Sequence, residues 1–172
     1  MTTGASVEPV ETILVAAEAS WIRDLVRTAF VGAGQRVLEV SRGQDVRKAV
    51  EEYEPDLVVL DMQIGNMGGI AVTIDLRLEA GVGRLPDTKI LLLLDREADR
   101  FLADRIEVDG ELVKPVDAGQ LRRRAKQLLS EPTATSAAAS PIAAEATDAG
   151  ATTDPESEPA VDGEDLLPSA PG

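Results

Sequence analysis

A chain of 172 residues, 44% hydrophobic but only 2% aromatic, is long enough for one ordinary domain with an aliphatic core, plus a tail. It contains no cysteine and no histidine, which excludes disulfides, thiolate or imidazole metal ligands, and serine–histidine or cysteine nucleophilic chemistry. The net charge of −14 opposes contact with nucleic acid backbones, so DNA binding is not expected.

Residues 1–11 are polar and are expected to be a flexible N-terminus, with no basic region leading into an apolar stretch as a secretory signal would have. Thr12–Ala17 (TILVAA) is the first strand candidate. Ser20 can cap a helix from Trp21 to about Val31, with Ile22, Leu25, Val26, Ala29 and Phe30 at helical spacing. Gly32-Ala33-Gly34 ends it. These glycines echo a dinucleotide fingerprint, but they close a helix instead of following a strand, and the third glycine is missing.

Gln35–Val40 alternates weakly and reads as a second strand near an edge. Ser41 or Asp45 can cap a helix to about Tyr53, where Val46, Ala49, Val50 and Tyr53 form one stripe. Pro55 stops it and launches a run, Leu57–Leu60, apolar enough to be buried on both faces. That run ends at Asp61 and breaks into a loop holding Gly65, Gly68 and Gly69. A third helix is predicted over Ile70–Ala80, with Ile70, Val72, Ile74, Leu76 and Leu78 as a broad apolar face.

After a polar connection, Lys89–Leu94 (KILLLL) is a fourth buried strand. Asp95 to about Arg105 reads as a short, charged helix, and Gly110–Val113 as a fifth strand ending at Lys114-Pro115. Asp117 can cap a last helix to Ser130, with Leu121, Ala125, Leu128 and Leu129 inward and Arg122, Arg123, Arg124 and Lys126 largely outward. Five strands each followed by a helix predict βαβ units, hence an α/β domain over 12–130 whose doubly wound parallel sheet is covered on both faces.

From Glu131 the composition turns to Ala, Thr, Ser, Pro, Gly and acids, with nine acidic residues and no basic one, leaving about −5 for the rest of the chain. Residues 131–172 are therefore expected to be a disordered acidic tail. Its single apolar pair, Leu166-Leu167, is either a docking motif or part of a solvated end. No apolar run reaches the roughly 18 residues of a membrane span, and a cytoplasmic location is the expectation.

In an open parallel sheet, chemistry gathers beyond the carboxyl ends of the strands. Glu18, Asp61 and Lys114 stand at three such ends. Each alone is what any strand end meeting water shows; together they suggest a site. Close carboxylates repel unless a cation or proton sits between them, and an oxygen-rich pocket suits Mg²⁺.

The segments ILVAAE (Ile13–Glu18), DLVVLDMQIGNMGG (Asp56–Gly69) and LVKP (Leu112–Pro115) together resemble the receiver domain of two-component response regulators, over about Ile13–Leu129. The resemblance implies a flavodoxin-like (βα)5 fold with strand order 2-1-3-4-5. It implies that Asp61 accepts a phosphoryl group from a histidine kinase, as a carboxylate nucleophile. It implies Mg²⁺ held by Glu18, Asp61 and the carbonyl of Gln63, with Lys114 contacting acceptor and phosphoryl group. It also implies a cis Lys114-Pro115 bond.

The departures are equally specific. Ala17 stands where the first of two acidic residues is usual. The strand-four hydroxyl position falls on Leu94, or on Asp95 with a one-residue shift. The strand-five aromatic position is Glu111, and Gly65 replaces the loop proline. The expectation is an atypical, stand-alone receiver, not an enzyme, acting through protein contacts with degraded switch positions. The arginines of the last helix are either a solvated face or, with helix four and strand five, a partner surface centred on Arg122, Arg123 and Lys126. One alternative is a pseudo-receiver adaptor whose surface is fixed. A more remote one is a flavodoxin-like enzyme or nucleotide-binding module, against which the glycine-free Ala17–Ser20 turn counts.

Overall fold

The computed structural model describes residues 10–131 other than 31 and 33. Residues 1–9 of the flexible N-terminus expected over 1–11, and the acidic tail beyond Glu131 with Leu166-Leu167, lie outside the described residues. The elements are β1 (Thr12–Ala16), α1 (Ser20–Phe30), β2 (Arg36–Val40), α2 (Val46–Tyr53), β3 (Leu57–Asp61), α3 (Gly69–Gly81), β4 (Lys89–Leu94), α4 (Arg100–Arg105), β5 (Gly110–Val113) and α5 (Ala118–Ser130). Short 3₁₀ turns, Gly43–Asp45 and Glu97–Asp99, lead into α2 and α4.

All pairings are parallel, in the order β2-β1-β3-β4-β5. Because side chains alternate along a strand, β1, β3 and β4 each feed two cores. Leu14, Val58, Leu60, Ile90 and Leu92 meet Val46 and Val50 of α2, Val72 and Leu76 of α3 and Ala103 of α4. Ile13, Val15, Leu57, Val59, Leu91 and Leu93 meet Ile22, Val26 and Phe30 of α1 and Leu121, Ala125 and Leu128 of α5. Burying each of these leucines or isoleucines contributes roughly 1.5–3 kcal/mol, so the sheet is a rigid platform for whatever its ends carry. Among the described residues no helix is long and apolar enough to cross a membrane.

The helix ends follow local chemistry. Gly32 and Gly34 take φ of 81° and 75°, a left-handed backbone that glycine adopts without strain, and α1 stops before them. Asp117 accepts a hydrogen bond from the Gln120 N–H while the Gln120 side chain accepts from the Asp117 N–H, a reciprocal cap on α5. Asp45 precedes α2 but makes no side-chain cap; its carboxylate instead accepts from Arg42 at 2.7 Å.

Two helices differ from expectation. The broad apolar face of α3 is only partly buried: Val72 and Leu76 pack inward with Thr73 and Glu79, while Ile74 and Leu78 are 42% and 66% exposed. Residues two apart point to different sides of a helix, so an alternating apolar run cannot all face one core. The region expected to be one helix from Asp95 is a 3₁₀ turn followed by only six residues of α4. Asp95 itself is left at the end of β4.

Candidate functional site

Four strand ends meet at the carboxyl edge of the sheet. Asp61 is the last residue of β3 and is 3% exposed. Its Oδ1 accepts a hydrogen bond from Lys114 Nζ at 2.7 Å and lies 3.3 Å from the Gln63 N–H. Lys114 follows β5, where its backbone N–H donates to the Leu94 carbonyl at 2.8 Å, and the Lys114-Pro115 bond is cis, as the resemblance implies. The same ammonium also reaches Asp95, 2.8 Å from its Oδ1. One cation thus bridges two carboxylates from neighbouring strands. Burial works to lower the Lys114 pKa, but the hydrogen bonds it donates to Asp61 and Asp95, with their charges, outweigh it and hold the pKa above the ordinary lysine value. The second Asp95 oxygen is buried without a hydrogen-bond partner.

The loop after Asp61 is shaped by close backbone approaches. A Cβ on Gly69 would lie 2.6 Å from the Asp61 carbonyl, and one on Gly43 would lie 2.1 Å from the Met67 carbonyl. The Gly43 N–H also donates to the Gly65 carbonyl at 3.1 Å, so the turn before α2 clamps the β3–α3 loop. A Cβ on Gly65 would fall 2.3 Å from Glu18 Oε2. With hydrogen in that place, the Glu18 carboxylate lies against the loop that follows Asp61. The turn carrying Glu18 is fixed by Arg23, whose guanidinium donates to the Ala17 and Glu18 carbonyls, each at 2.6 Å, and pairs with Glu39 at 3.4 Å.

These contacts bring Asp61 and Lys114 together and set Glu18 against the loop that follows Asp61. Ala17 is buried in the α1/α5 core and offers no oxygen donor from its side chain. Leu94 is not the strand-four residue that faces the site: it is fully buried in the opposite core. Strand alternation explains the difference, since the residue after the buried Leu94 is the one free to lean over the edge, and Asp95 does so. Glu111 is half-buried and pairs with Arg100 of α4 at 3.4 Å, while Arg100 also holds Glu97 at 2.6 Å.

Magnesium takes one or two carboxylates while keeping several waters, and the Asp61 carboxylate at its strand end and the Glu18 carboxylate against the following loop are oxygen donors of that kind. Among the described residues no group of three or more acidic, histidine or cysteine side chains is placed to hold a metal ion.

The arginines of α5 are distributed differently from expectation. Arg122 turns toward α1, donating from Nε to the Ala29 carbonyl at 2.6 Å, and with Lys126 it lines a hollow beside Phe30, Gln35 and Leu129. Helical spacing puts both on the α1 side, so they do not belong to a face shared with α4 and β5. Arg124, from the same run, covers β5: a Cβ on Gly110 would lie 2.8 Å from its Nε. Arg123 is exposed. Sequence reasoning did not single out Arg23, Gly43 or Arg100, because the partners that give them meaning are distant backbone groups or ends of other elements.

The sequence matches the family model of the response regulator receiver domain over residues 13–126. Among curated relatives, the aerobic respiration control protein ArcA of Escherichia coli K12 is 28% identical over 118 residues, 69% of this chain and 48% of that protein. The KDP operon transcriptional regulatory protein KdpE of the same organism is 30% identical over 125 residues, 73% of this chain and 54% of that protein. The chain therefore spans about half the length of the curated relatives it matches. Among solved structures, a putative response regulator from Chloroflexus aurantiacus superposes with a TM-score of 0.65 at 18% identity, covering 71% of this chain and 99% of that one. The receiver domain of sensor histidine kinase PA1611 from Pseudomonas aeruginosa, described with a magnesium ion coordinated in its active site cleft, gives 0.62 at 19% identity, with coverage of 71% and 99%. These likenesses establish the fold.

Proposed function

Since the chain belongs to the response regulator receiver family of two-component systems, we propose that Asp61 is its phosphoacceptor and that the chain signals through protein contacts with an attenuated phosphorylation switch. The observation that carries this reading is the buried Asp61 carboxylate at a strand end, held by Lys114 at 2.7 Å. In the proposed reaction an Asp61 oxygen forms a bond to phosphorus as the P–N bond of a histidine kinase's phosphohistidine breaks. The bonding pair leaves on the imidazole nitrogen, and the product is an acyl phosphate. Lys114 positions the carboxylate and offers its positive charge to the arriving oxygens. A magnesium ion held by Glu18, Asp61 and the Gln63 carbonyl would offset the remaining negative charge on the phosphoryl oxygens.

The attenuated response rests on Asp95 and Glu111. Neither supplies the neutral hydroxyl or the aromatic ring that the resemblance implies for those positions, and both are engaged in ion pairs. The same observation favours a second reading, an adaptor whose surface does not depend on phosphorylation.

Incubation with phosphoramidate and Mg²⁺, read by intact mass, tests the acceptor. A gain of one phosphoryl group that vanishes in Asp61→Asn is expected. A gain that survives Asp61→Asn overturns the assignment. Amide NMR spectra separate the two readings: small shifts that reach α4 and β5 on phosphorylation, with altered partner binding, support an attenuated switch, and unchanged α4 and β5 signals with unaltered partner binding favour the adaptor.

A further inference from the structure

The Lys114 ammonium is shared. Asp61 Oδ1 and Asp95 Oδ1 lie 2.7 and 2.8 Å from it, and the lysine, Asp61 and Asp95 side chains are only 13%, 4% and 29% exposed. Two carboxylates and one ammonium leave the cluster with a net negative charge of about one, in a place poorly screened by water. The remaining Asp95 oxygen is buried with no hydrogen-bond partner. A lone polar atom of this kind is costly, and it marks a position at which an anionic oxygen sits although nothing but Lys114 compensates it.

We propose that Asp95 is a positioning residue that acts as a built-in competitor for the phosphoryl group: its carboxylate holds Lys114 where a phosphoryl oxygen on Asp61 would bind. This deepens the acceptor reading above and rests on it. Transfer to Asp61 brings roughly two negative charges to an oxygen beside the lysine, and those charges meet Asp95 before they meet an uncommitted cation. Either Asp95 leaves Lys114, exposing a second desolvated carboxylate, or the incoming group goes without the lysine. Both routes disfavour occupancy of the site by a phosphoryl group. Removing the Asp95 charge leaves the Lys114–Asp61 contact in place and frees one donor of the ammonium for the arriving anion. The competition is therefore separable from the fold.

The test uses the full chain with Mg²⁺ and beryllium fluoride, a phosphoryl mimic whose binding is read by ¹⁹F NMR, alongside phosphoramidate labelling read by mass. Asp95→Asn keeps the shape and removes the charge; Asp95→Ala removes both. Each is expected to bind the fluoride at least tenfold more tightly than wild type and to label correspondingly faster, with circular dichroism unchanged. A general loosening of the structure would not sharpen binding of an anion, so this readout separates competition from a merely structural role. If the variants bind no more tightly than a wild type that itself binds and labels, the competitor role is overturned and Asp61 stands as acceptor. If they bind more tightly but still do so when combined with Asp61→Asn, Asp95 competes with an anion for Lys114 that Asp61 does not carry, and the acceptor assignment falls. No binding in any variant overturns the proposal, because lifting the competitor would have released nothing.

Discussion

The ends of β3 and β5 and the region formed by the end of β4 with α4 lie side by side on one sheet edge, yet they are built differently. At the first, strand register and backbone hydrogen bonds bring a buried carboxylate and a lysine together: Met62 donates to the Leu93 carbonyl, Lys114 to the Leu94 carbonyl, and Gly69 and Gly43 close the loop around them. At the second, the helix is six residues long, and Arg100 holds Glu97 and Glu111 in partly exposed pairs while Asp95 turns back to Lys114. Placing Asp61 beside Lys114 is a property of the scaffold, whereas the pairs around α4 are a property of a few side chains. The second can be lost or rewired while the first persists.

The largest effect expected at the acceptor end is from Lys114→Met. Taking away the ammonium leaves Asp61 and Asp95 facing each other with no cation, and stability should fall by about 3 kcal/mol in urea titrations. A loss below about 1 kcal/mol would mean the two carboxylates are better solvated than their burial implies. Next is Gly43→Ala, whose new methyl must push on the Met67 backbone carbonyl. Since backbone cannot swing aside as a side-chain tip does, about 2 kcal/mol of destabilisation is expected, with NMR shifts spreading through the loop to Asp61.

A smaller and pH-dependent effect belongs to Glu79, which lies away from both regions. Its hydrogen bond from Arg84 at 2.6 Å, opposed by burial and reinforced by Arg47, holds its pKa below the ordinary glutamate value of 4.5. A group with a lowered folded pKa stabilises above its unfolded pKa and loses that contribution as pH falls through the folded one. Melting temperatures of wild type and Glu79→Gln should therefore differ most near neutrality and converge as the pH falls below the ordinary glutamate value. Convergence toward high pH instead would reverse the assigned sign. The smallest effect is expected from Arg100→Ala, whose pairs with Glu97 and Glu111 are half-exposed. A loss of under about 0.5 kcal/mol would confirm that α4 is fastened loosely, and a loss as large as that at Gly43 would erase the contrast between the two regions.

Much of this architecture is written locally. KILLLL and the LVVL run announce buried strands, and Asp117 with Gln120 announces the start of α5 through a cap that needs four residues to complete. The Asp61–Lys114 pair is legible for the same reason: each residue stands at the end of an apolar strand, and parallel topology brings such ends together. What the sequence hides depends on one-residue phase or on long-range partners. Whether Leu94 or Asp95 faces the site turns on where β4 ends, and a uniform leucine run carries no alternation to set that phase. Arg122 and Lys126 look like their neighbours on α5 until α1 is in place to receive one of them. The alternating apolar residues of α3 resemble a broad buried face, although helical geometry exposes Ile74 and Leu78.

The separation of Asp61 and Lys114 along the chain, 53 residues, has a consequence for the order of events during folding. β1 and β3 can pair as soon as Leu57–Asp61 has been made, but the lysine takes its place only when β4 and then β5 have added to the growing sheet edge. Such distant parallel pairings form late, because loop closure is slow compared with local helix formation. A chain emerging from the ribosome therefore presents the Asp61 carboxylate before it presents the cation that pairs with it. With Asp61 as the proposed acceptor, phosphoryl labelling during refolding would be a clock for closure of the sheet.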